Sequence, residues 1–200
     1  VTRKGFMSYA EELAQLHRTQ ENLKTIVVDV EQIFNEFSSG ANDITAIRNF
    51  VKMFYDRAVN DADKPKYLLL FGDGSYDNKN YGDFLLPTYQ SKSSFSTINS
   101  FTSDDYFGIL DDTEGDNIEN TSTNLIDIGV GRIPADNTSK AQHFVDKVKH
   151  YYSQNAFGDW RSQLTFIADD EDNNLHIDQA EIIAKTTTNQ LAKYNVDKIY

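Results

Sequence analysis

The stretch Tyr67-Leu-Leu-Leu-Phe-Gly-Asp-Gly-Ser-Tyr-Asp77 runs from five apolar residues straight into glycine and aspartate. The chain repeats this pattern from Leu125 to Asp136, LIDIGVGRIPAD. Short apolar runs without alternation suit strands buried on both faces, as in parallel sheets, and a Gly-Asp break hands such a strand over to a loop. Working outward, Thr25–Val30 and Leu164–Ala168 share this β-branched, apolar character. Tyr106–Leu110 suits a short strand and Val196–Tyr200 begins a last one.

Helical stripes lie between these runs. Phe6, Tyr9, Leu13 and Leu16 form the first, with Ser8 as N-cap. Ile44, Ile47, Val51 and Phe54 form the second, capped by Asn42. Ala141, Phe144, Val145 and Val148 form a third, capped near Asp136 or Thr138, and a fourth helix is expected over about Ile177–Lys193. Strands alternating with helices imply crossover connections. The expected fold is therefore α/β, a mostly parallel sheet with helices on both faces, and no composition shift marks an internal boundary.

The 200 residues carry a net charge of −12, with 39% hydrophobic and 25% charged residues. That composition is globular. The charge argues against nucleic acid and against anionic membrane surfaces as partners. No apolar run approaches the ~18 residues of a membrane span. The start, VTRKGFMSYA, has neither an initiator Met nor an apolar signal region, so both ends read as cut from a longer chain. There is no cysteine, hence no disulfide and no thiol nucleophile.

In open α/β sheets sites form beyond the carboxyl ends of strands. Three acidic loops qualify: Gly72–Asp83, Gly131–Asp136 and Asp169–Asn174. Gly72-Asp73-Gly74 is not a dinucleotide loop, because Asp77 stands where the third glycine belongs. For the same reason Ser75 is not in a nucleophile elbow. Asp73, Asp77, Asp104, Asp105 and Asp111, with Asp83, Asp112, Glu114 and Asp116 near them, are candidate oxygen ligands for calcium. The alternative is solvated acidic turns. His17, His143 and His150 fall on helix faces and read as surface residues, while His176 lies beside the Asp169–Glu171 cluster. The long segment from Gly72 to about Ser103, rich in Ser, Asn, Tyr and Gly, reads as a functional loop.

Taken in order, LLLFGDGSYD (Leu68–Asp77), TSDDYFG (Thr102–Gly108), IGVGRIPAD (Ile128–Asp136), the helix through Tyr151-Tyr152 and FIADDED (Phe166–Asp172) resemble the gingipain-type cysteine peptidases of the Bacteroidetes. Phe6–Phe37 is similar to the cell-surface sortase of the type IX secretion system within that family. The resemblance implies a caspase-like fold and an exported protein at the cell surface or outer membrane, with no required cofactor. Residues 1–200 would be the N-terminal part of the peptidase domain, ending before the catalytic His and Cys, and would pair with the downstream half. The implied activity is an endopeptidase or sortase acting on protein substrates through an acyl-enzyme. The resemblance places the carboxylate that orients the catalytic His at Glu171, with Asp170 the alternative. The family Asp that receives a basic substrate side chain aligns with His176, with Asp178 close by, which puts basic specificity in doubt. A second reading is a noncatalytic α/β module that binds proteins through the 72–103 loop.

Overall fold

The computed structural model describes residues 1–77, 82–115, 118, 123–191 and 193–200. The chain divides into two compact units, Val1–Lys149 and His150–Tyr200, where the sequence shows no boundary.

In the first unit, a 3₁₀ turn at Lys4–Phe6 leads into α1 (Met7–Gln20), so Ser8 lies inside the helix and caps nothing. The expected strand at Thr25–Val30 does not form. Among the described residues its only sheet neighbour is Thr2, which bridges Asp29 on one side and Phe71 on the other, too short a partner for a ladder. Instead Asp29 accepts the Glu31 N–H and starts α2 (Val30–Phe37). Next, α3 (Ile44–Arg57) is capped by Asp43 Oδ1, 2.8 Å from the Thr45 nitrogen, rather than by Asn42. The helix turns Ala46, Ile47 and Val51 inward and leaves Phe54 at the surface, packed edge-on against Phe50.

Strand β1 (Tyr67–Phe71) falls where the apolar run predicts. A two-residue antiparallel pair follows, β2 (Tyr89–Gln90) with β3 (Thr102–Ser103). Tyr106–Leu110 is not a strand, because Asp105–Gly108 forms a 3₁₀ turn that buries Tyr106 and Phe107. Strand β4 (Gly129–Ile133) lies four residues later than the Leu125–Val130 run and pairs parallel with β1, Tyr67 against Gly129 through Phe71 against Ile133. A Cβ at Gly129 would come within 2.9 Å of the Tyr67 ring, so a larger residue there would have to push the exposed ring aside. Asn137 Oδ1 accepts the Lys140 N–H and opens α4 (Thr138–Tyr152).

The residues of β1 alternate between two cores. Leu68 and Leu70 pack with Ile33, Phe34, Ile47 and Val51 of α2 and α3. Phe71 packs with Phe6, Leu13, Ala141 and Val145 of α1 and α4. Helices therefore cover both faces of the parallel pair, which is why the run shows no polar alternation.

In the second unit, β5 (Gln163–Ile167) and β6 (Asn195–Ile199) pair parallel around α5 (Glu171–Gln190). The helix starts earlier than Ile177, and Asp172, Asn173 and Asn174 near its start have left-handed backbone angles. Its three threonines are accommodated by back-bonding: the hydroxyls of Thr186, Thr187 and Thr188 donate to the carbonyls of Ile182, Ile183 and Ala184. Lys198 of β6 reaches Glu181 of α5 at 2.5 Å, and Lys185 reaches it at 3.3 Å. The Lys198 hydrogen bond holds the Glu181 carboxyl below its ordinary value. A depressed carboxyl contributes stability that is complete above the unfolded value and lost as pH falls through the folded one. Unfolding midpoints in urea at pH 7 and pH 3 should therefore diverge less in Lys198→Met than in the parent chain.

Candidate functional site

The end of β1 is continued by backbone bonds on both sides. Gly72 N–H donates to Ile133 O, Asp73 N–H to Ala135 O, and Leu86 N–H to Asp73 O. Gly72 sits at φ 155°, and a Cβ there would lie 2.8 Å from the Phe84 carbonyl oxygen. No other residue fits this close approach. Asp73 Oδ1 accepts the Gly74 N–H, and Ser75 Oγ accepts the Asp77 N–H, so the first turn of the loop is self-bonded.

Arg132, the fourth residue of β4, ties this loop down. Its Nε and one terminal nitrogen grip the two oxygens of Asp104 at 2.7 and 2.8 Å. Its remaining donors go to the carbonyls of Gly72, Leu86 and Pro87 at 3.1, 3.4 and 3.0 Å. The Arg132 and Asp104 side chains retain only 13% and 24% of their exposure. A bidentate, largely desolvated pair of this kind has directional as well as electrostatic strength. The clasp escaped the sequence reading, although an arginine inside the run GVGRIPAD is itself a signal, since a cation in a buried strand requires acceptors.

The candidate calcium ligands are not brought together. Asp104 is committed to Arg132, Asp73 to its own loop, and Asp111 accepts from the Tyr55 hydroxyl. Among the described residues no group of three or more His, Cys, Asp or Glu side chains converges to hold a metal. Asp73, Asp77, Asp104, Asp105 and Asp111 thus stand apart among the described residues, and Asp116 lies outside them. In the second acidic loop, the Asp136 carboxyl is held below its ordinary value by the Lys140 ammonium at 2.5 Å.

In the second unit, Ala168 N–H donates to Ile199 O just beyond β5, and the chain then enters the acidic turn. Asp170 precedes α5 without a side-chain cap bond, and Glu171 is the helix's first residue. The left-handed turn follows directly. Asp170, Glu171, His176 and Asp178 are all exposed, and His176 Nε2 lies 3.4 Å from Asp172 Oδ2. The structure thus puts Glu171 at the carboxyl end of a parallel strand, open to a partner group.

Removing the Arg132 guanidinium leaves Asp104 and three carbonyls without a donor. Arg132→Leu is expected to cost roughly 3–5 kcal/mol of unfolding free energy, the range for breaking one side of a buried pair. Asp104→Asn, which keeps an acceptor, is expected to cost less. Urea denaturation of the three proteins checks both.

The model of Peptidase family C25 matches residues 1–200. Among solved structures, dimeric latent PorU from Porphyromonas gingivalis matches at 36% identity and TM-score 0.66, over 80% of this chain and 16% of that one. The complex of RgpB pro- and mature domains from P. gingivalis matches at 20% identity and TM-score 0.63, over 99% of this chain and 40% of that one. The Arg-specific cysteine proteinase gingipain R (RgpB) matches at 20% identity and TM-score 0.66, over 98% and 39%. The latter two bear on the fold, which is the α/β caspase-like one expected. A comparison with curated proteins gave no match. The chain spans about one sixth of the PorU chain and two fifths of the RgpB chains.

Proposed function

Because the chain belongs to Peptidase family C25, we propose that it forms the first part of the peptidase domain of a cysteine endopeptidase or sortase. The observation that carries the reading is the family match over all 200 residues, beside a chain that holds no cysteine of its own. In the longer protein a thiolate attacks the peptide carbonyl and the tetrahedral adduct expels the amine as it collapses. Water or a second amine then releases the acyl group. The substrate class is protein, and the protein works after export, at the cell surface or outer membrane. No helix among the described residues is long and apolar enough to cross a membrane.

The second unit supports a further covering segment. Trp160, Ile167, Ile182 and Ile199 are each more than half exposed, a density of apolar surface that isolated soluble domains avoid. The downstream part of the same peptidase domain is the proposed cover.

Glu171 accepts the imidazole N–H of the downstream His in this reading, fixing its tautomer and stabilising the imidazolium. Glu171→Gln in the longer enzyme should lower kcat by roughly ten- to ten-thousandfold while KM stays nearly unchanged, the pattern of an interaction made mainly in the transition state. Asp170→Asn is the control, and a one-residue slip in the resemblance would exchange the two phenotypes. Unchanged kcat in both variants would remove the role.

His176 and Asp178 are the proposed substrate-facing groups. A histidine where the family pattern has a carboxylate gives no fixed negative charge to a guanidinium. The expected outcome is weak preference for Arg at the cleaved bond, with His176→Asp raising kcat/KM for an Arg substrate relative to a Leu substrate.

A further inference from the structure

The β2–β3 hairpin carries a self-ordered loop. Ser91 N–H donates to Phe101 O at 3.0 Å, and Ser91 Oγ accepts the Phe101 N–H. Ser96 Oγ accepts the N–H of Asn99, and Ser100 N–H returns to Ser96 O. With Ser91 and Phe101 a hydrogen-bonded pair, alternation makes Gln90 and Thr102, which face each other in register, a non-bonded pair. The N–H and C=O of Thr102 therefore point away from β2.

Thr102 and Ser103 both line an open cleft of about 870 Å³. Its apolar lining comes from Ile98, Phe101, Ile109, Ile118 and Ile126, of which Ile98 is 89% exposed. Among the described lining residues the only ionisable group is Asp105, and none is Lys or Arg. An unpaired strand edge beside alternate apolar contacts is the arrangement by which sheets take up an added strand. The single carboxylate selects against acidic occupants. A second copy of this chain would bring a net charge of −12 to a site that already carries Asp105.

We propose that this cleft docks an extended, uncharged-to-basic peptide segment that adds to the free edge of β3 and seats one apolar side chain among Ile98, Phe101, Ile109 and Ile126. The main chain of the peptide exchanges hydrogen bonds with Thr102, and Asp105 favours a cation beside the apolar residue. This goes beyond the peptidase reading and stands without it, because none of the residues assigned to catalysis lines the cleft.

The test is binding of acetylated, amidated Lys-Thr-X-Thr-Lys peptides, with X Ile, Leu or Phe, to the full chain. Fluorescence anisotropy gives affinity, and amide shifts of Ile98, Thr102 and Ile126 locate the peptide. At least one of the three should bind and shift those amides, and its Glu-flanked counterpart should bind more weakly. Thr102→Pro removes the edge N–H and should weaken binding by about tenfold, one hydrogen bond's worth. Ile98→Asp changes an exposed loop residue and should weaken it comparably without affecting unfolding. No binding by any Lys-flanked peptide, or equal binding by the Glu-flanked set, would overturn the proposal. So would a change of oligomeric state in Ile98→Asp without peptide binding, which would make the occupant a second copy.

Discussion

A guanidinium enclosed by protein must place five N–H groups on acceptors, and Arg132 does so by gathering Asp104 and the carbonyls of Gly72, Leu86 and Pro87. These acceptors belong to separate stretches of a long connection, which would otherwise leave the carboxyl end of β1 without regular structure. The clasp ties Gly72, Leu86, Pro87 and Asp104 to one side chain. Gly72 complements it from the other side, since its missing side chain lets the Phe84 carbonyl pass within contact distance. The β2–β3 hairpin and its cleft follow Leu86 and Pro87 in the chain, so their placement inherits that of the clasp.

A similar logic operates on the helix side. Arg48 of α3 donates to the carbonyls of Ile109 and Glu114, and Lys52 to that of Leu110. Cations on an otherwise apolar-faced helix thus supply donors to a segment that has no sheet partner. Such a segment can be irregular and still satisfied, because side chains replace the missing ladder.

Much of the fold was legible in the sequence. YLLLF reads as a doubly buried strand and is one, with Leu68 and Leu70 facing one core and Phe71 the other. The helix stripes and the strand near Leu164 also stand where their periodicity puts them. The failures have local physical causes. Thr25–Val30 is strand-like in composition but lacks a partner long enough to pair, and the cap at Asp29, followed by Val30, Ile33, Phe34 and Phe37 at helical spacing, marks α2. β4 lies at Gly129–Ile133 rather than in the more apolar run before it, with Gly129 opposite Tyr67 at the start of β1, where the glycine leaves room for the tyrosine ring. At the candidate site the position of Glu171 beyond a parallel strand was readable. The dispersal of the acidic residues was not, since it depends on which carboxylate a distant arginine claims.

The left-handed run at Asp172, Asn173 and Asn174 limits what the neighbourhood of Glu171 can become. Asparagine, aspartate and glycine enter that region of backbone space readily, while β-branched side chains do not. Three consecutive positions are therefore open to changes of charge and closed to branching. The turn that presents Glu171 can be retuned electrostatically by swapping Asn for Asp, but a valine or isoleucine would have to unwind it. Variation beside this carboxylate is thus channelled toward polarity rather than shape.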